Sequence, residues 1–240
     1  MTSITQKQFS FGTVISESFS VFFSNLVPFC IVALILMAPL LVYDLAIGTP
    51  TGGFSPSQLL AFVIQSVLTQ LLVATISFAT FQYLRGQQVS IGECLSRGLS
   101  LIAPVIGVAF LAGLAVGIGM ILLIIPGIIV AVMLWVAIPV AVVERPGVIE
   151  SLKRSADLTK GQRWTIFGIV LVIGIILAVI GAILGGILVA AIGFTGLSIA
   201  LWVLNAIFGA FSATTAAVGY YFLRATKEGI DIGDIAKVFD

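Results

Sequence analysis

The sequence predicts an all-α, polytopic membrane protein whose six transmembrane helices form three tandem units, each a surface helix followed by a transmembrane hairpin. Three observations predict it. Only 9% of the residues are charged and 60% are hydrophobic, whereas a soluble domain carries about 25% charge. Val105–Val143 and Trp164–Leu223 contain no charged residue; a span needs about 20 apolar residues, so each stretch holds two. Finally, an apolar pattern of helical spacing precedes each pair of spans. Phe11, Val14, Ile15 and Phe19 set it, Ile91, Cys94, Leu95 and Leu99 repeat its offsets, and Val148, Ser151, Leu152 and Ala156 repeat them with one polar substitution.

The elements follow in order. The first 25 residues lack the compact charged, apolar and small-residue regions of a cleavable signal, so Leu26–Ile47 is expected to stay as the first span. "GTPTGGFSPS" separates it from the second, Leu59–Leu84. Leu101–Ile124 and Ile128–Val143 form the next pair, with a break at Pro126-Gly127. Thr165–Ile192 and Leu197–Leu223 form the last, broken at "GFTG", Gly193–Gly196. The units are 9–84, 90–143 and 147–223 of one integral membrane domain, and 224–240 reads as a short tail. Small residues at four-residue spacing predict close helix packing in three spans: Ala109, Gly113 and Gly117; Gly181 and Gly185; Gly209, Ala213 and Ala217. Trp164, Tyr220 and Tyr221 at one interface, with Trp202 and Tyr43 at the other, read as aromatic belts.

Orientation comes from the basic residues. Lys7, Arg85, Arg97, Arg145, Lys153, Arg154, Lys160, Arg163, Arg224, Lys227 and Lys237 all fall before, between or after spans on one side, and the three loops of the other side have none. Cytoplasmic loops hold the excess of Lys and Arg, so both termini are expected in the cytoplasm. The cytoplasmic link "ERPGVIESLKRSADLTKGQRW", residues 144–164, holds eight charges, five basic and three acidic. It reads as a helix starting near Pro146 and stopping at Gly161, with Glu150–Arg154, Lys153–Asp157 and Asp157–Lys160 facing each other and Val148, Leu152 and Ala156 on the apolar side. Glu144 lies at the exit of span four, where Arg154 is expected to find an acidic partner. Glu144, Arg145, Lys153, Arg154, Lys160, Arg163, Arg97, Arg224 and Lys227 are therefore the candidate structural or lipid-contact residues. Membrane lipids, anionic ones included, are the expected partners, with other membrane proteins or further copies of the chain beside them. A purely topological role for the same charges stays open.

No charge lies at the centre of a span, and Asp44 reads as a solvated helix end. Gln65, Ser66, Thr69, Gln70 and Ser77 in span two, with Asn205 in span six, make a candidate intramembrane polar face. Interhelical hydrogen bonding accounts for it, and a transport path is the alternative. The chain has no histidine, and its two cysteines, Cys30 and Cys94, have no metal-site spacing. No P-loop, G-x-S-x-G or His-Glu-x-x-His occurs. No cofactor, metal or catalytic residue is expected. A net charge of +1 without a basic, aromatic-interleaved patch argues against nucleic acid.

"PGIIVAVMLWVAIPVAVVERPGVIESLKRSADLTKGQRW" and "FSATTAAVGYYFLRATKEG" resemble the membrane domain associated with bacterial glycerophosphoryl diester phosphodiesterases, found also in stand-alone bacterial inner-membrane proteins. The matching positions are Pro126, Gly127, Pro139, Glu144, Ser151, Leu152, Arg154, Ser155, Leu158, Thr159 and Gly161, then Tyr220, Tyr221, Leu223, Arg224, Lys227, Glu228 and Gly229. The resemblance implies a bacterial inner-membrane location. It does not carry over the hydrolase, whose separate barrel uses metal-binding carboxylates and paired histidines. The expected function is a non-enzymatic, membrane-embedded packing, anchoring or accessory module, with a transporter or channel for a small or lipid-like solute as the alternative.

Overall fold

In the computed structural model, residues 9–47 and 56–229 are described, with backbone only for Ile47 and residues 189–198. The expected loop "GTPTGGFSPS" lies mostly outside the described residues, as do Lys7, Lys237 and the tail beyond Gly229. The described residues are helical with no strand: α1 (Phe11–Ser24), α2 (Leu26–Ile47), α3 (Pro56–Leu84), α4 (Ile91–Ser100), α5 (Ile102–Leu122), α6 (Ile124–Met133), α7 (Ala137–Val143), α8 (Val148–Thr159) and α9 (Arg163–Glu228). Six stretches are long and apolar enough to cross a membrane: Leu26–Ala46, Pro56–Leu84, Ile102–Leu122, Ile124–Val143, Arg163–Leu188 and Ile199–Glu228. Their outward faces are apolar, as Val42, Phe110 and Ile121 show at 65%, 64% and 86% exposed. Such a surface belongs in lipid. The chain is a multi-pass membrane protein in which α1, α4 and α8 each precede a pair of spans.

Helix α9 runs through 66 residues, about 99 Å if straight. Yet a Cβ on Gly181 would stand 3.5 Å from Phe208, and one on Gly185 3.7 Å from Leu201. Its halves therefore lie side by side, as the glycines of span five predict. The second half runs parallel to α3: a Cβ on Gly209 would lie 3.1 Å from Leu72, and the Phe81 and Tyr220 rings meet edge-on at 5.6 Å. Ala213 and Ala217 are buried in the same core.

Four expectations change. The hairpin of α5 and α6 turns at Leu123, which is extended (φ −162, ψ 143), and not at Pro126-Gly127. Pro126 sits in the first turn of α6, where its missing N–H costs nothing. Gly127 instead lets α5 and α6 cross, since a Cβ on Gly119 would fall 2.9 Å from its Cα. Second, Gly113 and Gly117 have nothing within 4 Å of a built Cβ, so these two glycines do not pack a neighbouring helix, while Ala109 does pack against the core. Third, span four is interrupted: α6 ends at Met133 and α7 begins at Ala137, where Pro139 offers Trp135 no N–H and crowds its carbonyl, and Ala137 N–H bonds Leu134 and not Met133. Fourth, two of the short helices, α1 and α4, pack lengthwise against long ones. Phe9 N–H bonds Thr226 Oγ1 while Phe19 and Phe22 meet Phe211 at 4.8 and 5.3 Å, so α1 runs along α9. In α4, Cys94 bonds Gln82, and a Cβ on Gly98 would fall 2.0 Å from Thr75 Oγ1. Helix α4 thus folds back along α3.

All three short helices meet the ends of α3, α7 and α9, so they gather at one end of the bundle. The nine described basic residues are at that end too.

Candidate functional site

The turn from α7 to α8 builds the charged end. Glu144 caps α7 (φ −88), exposed Arg145 takes a left-handed φ of 49, and Gly147 has φ 105. Pro146 is part of this turn, and α8 begins two residues later. Positive φ costs a non-glycine residue energy, so the turn depends on the contacts that α8 makes with the bundle. The buried side of α8 is Ser151, Ser155, Leu158 and Thr159, while Val148, Leu152 and Ala156 are only half-buried. The predicted apolar stripe therefore lies at the edge of the buried side, where Val148 and Leu152 still pack against the core. The hydroxyls have partners there: Ser155 donates to the Met133 carbonyl at 2.8 Å, and Thr159 Oγ1, which lies 3.3 Å from that carbonyl, shares its one hydrogen with the Ser155 carbonyl at 3.0 Å. They satisfy an acceptor that the break in span four leaves open. Small polar residues face the bundle because the bundle offers backbone acceptors at that point.

Arg154 then turns to Glu144 and Glu228, not to Glu150 four residues before it. Among the described residues the charges form a closed ring. Glu144 Oε2 accepts from Arg154 Nε at 2.9 Å, Arg154 Nη2 also donates to Glu228 Oε1, and Glu228 Oε2 accepts from Arg224 Nε at 2.8 Å. Arg224 Nη1 donates to Tyr220 Oη at 3.2 Å, whose own hydrogen goes to Glu144 Oε1 at 2.8 Å. Two guanidinium groups balance two carboxylates, and all four carboxylate oxygens accept a bond. The side chains are 10% (Arg224), 17% (Glu144), 22% (Glu228) and 31% (Arg154) exposed. Tyr220 is fully buried and Tyr221 nearly so, so neither belongs to an aromatic belt, whereas Trp164 is 86% exposed. The ring ties α8 to the ends of α7 and α9. It is a clasp with no unpaired acid or base.

Of the remaining basic candidates, Arg97, Arg145, Lys153 and Lys160 are exposed. Lys227 donates to the Asp157 carbonyl near the end of α8, and Arg163 is half-buried with a buried, unpartnered Nε. Tyr220 and Glu228 are absent from the sequence-derived site. Their signal is the Tyr220-Arg224-Glu228 spacing, which places three groups on one helical face.

The polar face of α3 divides. Ser77 and Thr80 are fully buried and neither hydroxyl finds a partner among the described residues. Ser66, Thr69 and Gln70 are half-buried, Gln65 is exposed, and Asn205 is exposed and bonded within its own helix. Gln65 and Asn205 thus do not join an inward face. Ser66 and Gln70 line a groove of about 660 Å³ between α3 and α5, with Phe62, Phe110, Gly113 and Gly117. The exposed rings of Phe62 and Phe110 show that the groove opens sideways. At the C-terminal end of α3, Gln82 donates to Glu93 at 2.8 Å and accepts from Cys94. Burial and the neighbouring Glu93 carboxylate push the Cys94 thiol up to about 12. Among the described residues no three metal-ligating side chains converge.

Comparison with family models, with curated proteins and with solved structures returned no match.

Proposed function

We propose that the protein is a non-enzymatic, multi-pass component of a bacterial inner membrane. It acts as an embedded packing or anchoring module whose clasped end faces the cytoplasm and touches anionic lipid. The observation that carries this reading is the clasp. It commits both partly buried carboxylates to rigidity, and among the described residues it leaves Arg145, Lys153, Lys160 and Arg163 around it without a carboxylate partner. The likeness of residues 120–230 to the membrane domain of glycerophosphoryl diester phosphodiesterases supports the location. In nanodiscs, backbone exchange across residues 148–160 is expected to be slower with anionic than with zwitterionic lipid, and the difference should vanish at high salt. Exchange that ignores headgroup charge would contradict the reading.

One observation favours a second reading, a transporter for a lipid-like solute. Ser66 and Gln70 line the α3–α5 groove, and further along the same face of α3, beyond the groove's lining, the hydroxyls of Ser77 and Thr80 are buried and unpartnered among the described residues. A polar line from a lateral groove toward the clasped end is what such a path requires. Solute flux in proteoliposomes, abolished by Gln70→Leu, would favour it; absent flux would leave the anchoring module.

A further inference from the structure

We propose that the groove between α3 and α5 seats α5 of a second copy of this chain, so that two copies pair about a two-fold axis along the membrane normal. The pairing rests on the packing-module reading, to which it gives a partner, and not on lipid contact at the clasped end. The groove, about 660 Å³, is walled by Gln70 on α3 and by Phe110, Gly113, Leu114, Gly117 and Ile118 on α5. It opens sideways into the membrane, so either a lipid tail or a helix fills it. Gln70 decides between them. It stands fourteen residues from either end of α3, at mid-depth in the bilayer, and among the described residues its amide makes no hydrogen bond. Hydrocarbon offers an amide nothing. An acyl chain in the groove would leave Gln70 unsatisfied, whereas a helix brings backbone carbonyls to it.

The shape of α5 names the helix. Phe110, Leu114 and Ile118 are exposed and spaced by four, which makes a ridge along it. Gly113 and Gly117, also spaced by four, make a furrow beside the ridge, and a Cβ on either glycine would have nothing within 4 Å. Ridges of four-residue spacing pack into furrows of the same spacing, and glycine furrows let helix backbones approach closely in lipid. Here ridge and furrow sit side by side on one helix. When two copies face each other across a two-fold axis, the ridge of each enters the furrow of the other. That is the self-complementarity a two-fold interface demands. A helix of another protein would have to supply both features, and a second α5 already has them. The 21 residues of α5 extend about 31 Å, close to the thickness of the hydrocarbon core, so the contact can run through the whole depth of the bilayer. Both copies keep one orientation, with their clasped ends on the same side.

The test uses the full chain in proteoliposomes, with the paired fraction followed by single-molecule photobleaching as protein is diluted into lipid. Wild type should pair, and the paired fraction should fall on dilution. Gly117→Leu fills the furrow at a position whose Cβ meets nothing in its own chain, so it should leave the thermal midpoint unchanged and abolish pairing. Gln70→Leu should weaken pairing about threefold for each of the two amides, the factor that about 0.6 kcal/mol represents. Ile183→Ala, exposed on the first half of α9, should leave pairing unchanged. A second arm oxidises Leu114→Cys in a chain with Cys30 and Cys94 replaced by alanine. A disulfide-linked dimer should form, and adding Gly117→Leu should prevent it. A chain that stays monomeric at every protein-to-lipid ratio overturns the pairing and leaves the groove to lipid or solute. Pairing that survives Gly117→Leu, that Ile183→Ala weakens as much, or that gives no Leu114→Cys cross-link overturns it too, since the copies then meet through another face. The exchange difference between anionic and zwitterionic lipid across residues 148–160 is unaffected by any of these results, so lipid contact at the clasped end stands or falls separately.

Discussion

Glu144 is the residue on which the charged end depends, because its loss leaves two guanidinium groups sharing one carboxylate and Tyr220 without its acceptor. Removing one member of a partly buried ionic network costs on the order of 3 kcal/mol. Glu144→Gln should therefore lower the thermal midpoint in detergent more than any other single charge removal, and Arg154→Ala should come close to it. Lys153→Ala, exposed and outside the ring, should stay within about 0.5 kcal/mol of wild type. Equal midpoints for Glu144→Gln and Lys153→Ala would rule out the clasp as a source of stability. Cys94 makes a second residue-level prediction. Its folded thiol titrates near 12, against an ordinary value of 9.0, so the unfolded chain ionises first as pH rises. The thiol's contribution to stability is whole below pH 9 and lost between pH 9 and 12. Alkaline denaturation should steepen in that window, and Cys94→Ala should flatten it. Native Cys94 should also resist alkylation at pH 8, where free thiols react. Sequence alone points Arg154 to an acidic partner near the end of span four, with Glu150 one helical turn before it and Glu144 close by. It cannot give the ring, since Tyr220 and Glu228 are 76 and 74 residues away from their partners.

At the scale of elements, the apolar periodicity places the long helices well because a single physical requirement, hydrocarbon around a closed backbone, sets their length and composition. Span one is legible residue for residue as α2. The same reasoning misjudges α8, since a helix packed on a broken neighbour buries the groups that satisfy its backbone, not its most apolar stripe. Ser155 and Thr159 serve Met133 in this way, so Ser155→Ala with Thr159→Val should destabilise by about 1 kcal/mol per lost bond and speed amide exchange at the start of α7. Unchanged exchange there would mean the break is satisfied otherwise. Close approach is equally hidden. Gly98 reads as an ordinary helix glycine, yet a methyl there collides with Thr75. Gly98→Ala should loosen α4 from α3, measured as a lower thermal midpoint, and Thr75→Ala should rescue much of that loss. Failure of rescue would place the strain elsewhere. In α5 the logic runs the other way. Ala109, Gly113 and Gly117 suggest a packed face, but they line a groove, because spacing alone cannot tell a helix that has a neighbour from one that does not.

For the whole molecule, the partition of basic residues and the convergence of α1, α4 and α8 describe the same end of the bundle by independent means, charge and contact. Residues at the start of α3, such as Ser57, lie at the opposite end, where the Tyr43 hydroxyl reaches the Ser57 carbonyl. The anchoring role requires the clasped, basic end to lie in the cytoplasm. Membrane-impermeant thiol labelling reads that orientation without intermediaries, in intact bacterial cells expressing single-cysteine variants with Cys30 and Cys94 replaced by alanine. Lys153→Cys is the reporter for the clasped end because Lys153 is exposed on α8, whereas Ser155 beside it is buried. Ser57→Cys should label from outside, and Lys153→Cys should label only after the membrane is permeabilised. Labelling of Lys153→Cys in intact cells, with Ser57→Cys protected, would reverse the orientation and remove the basis of that role.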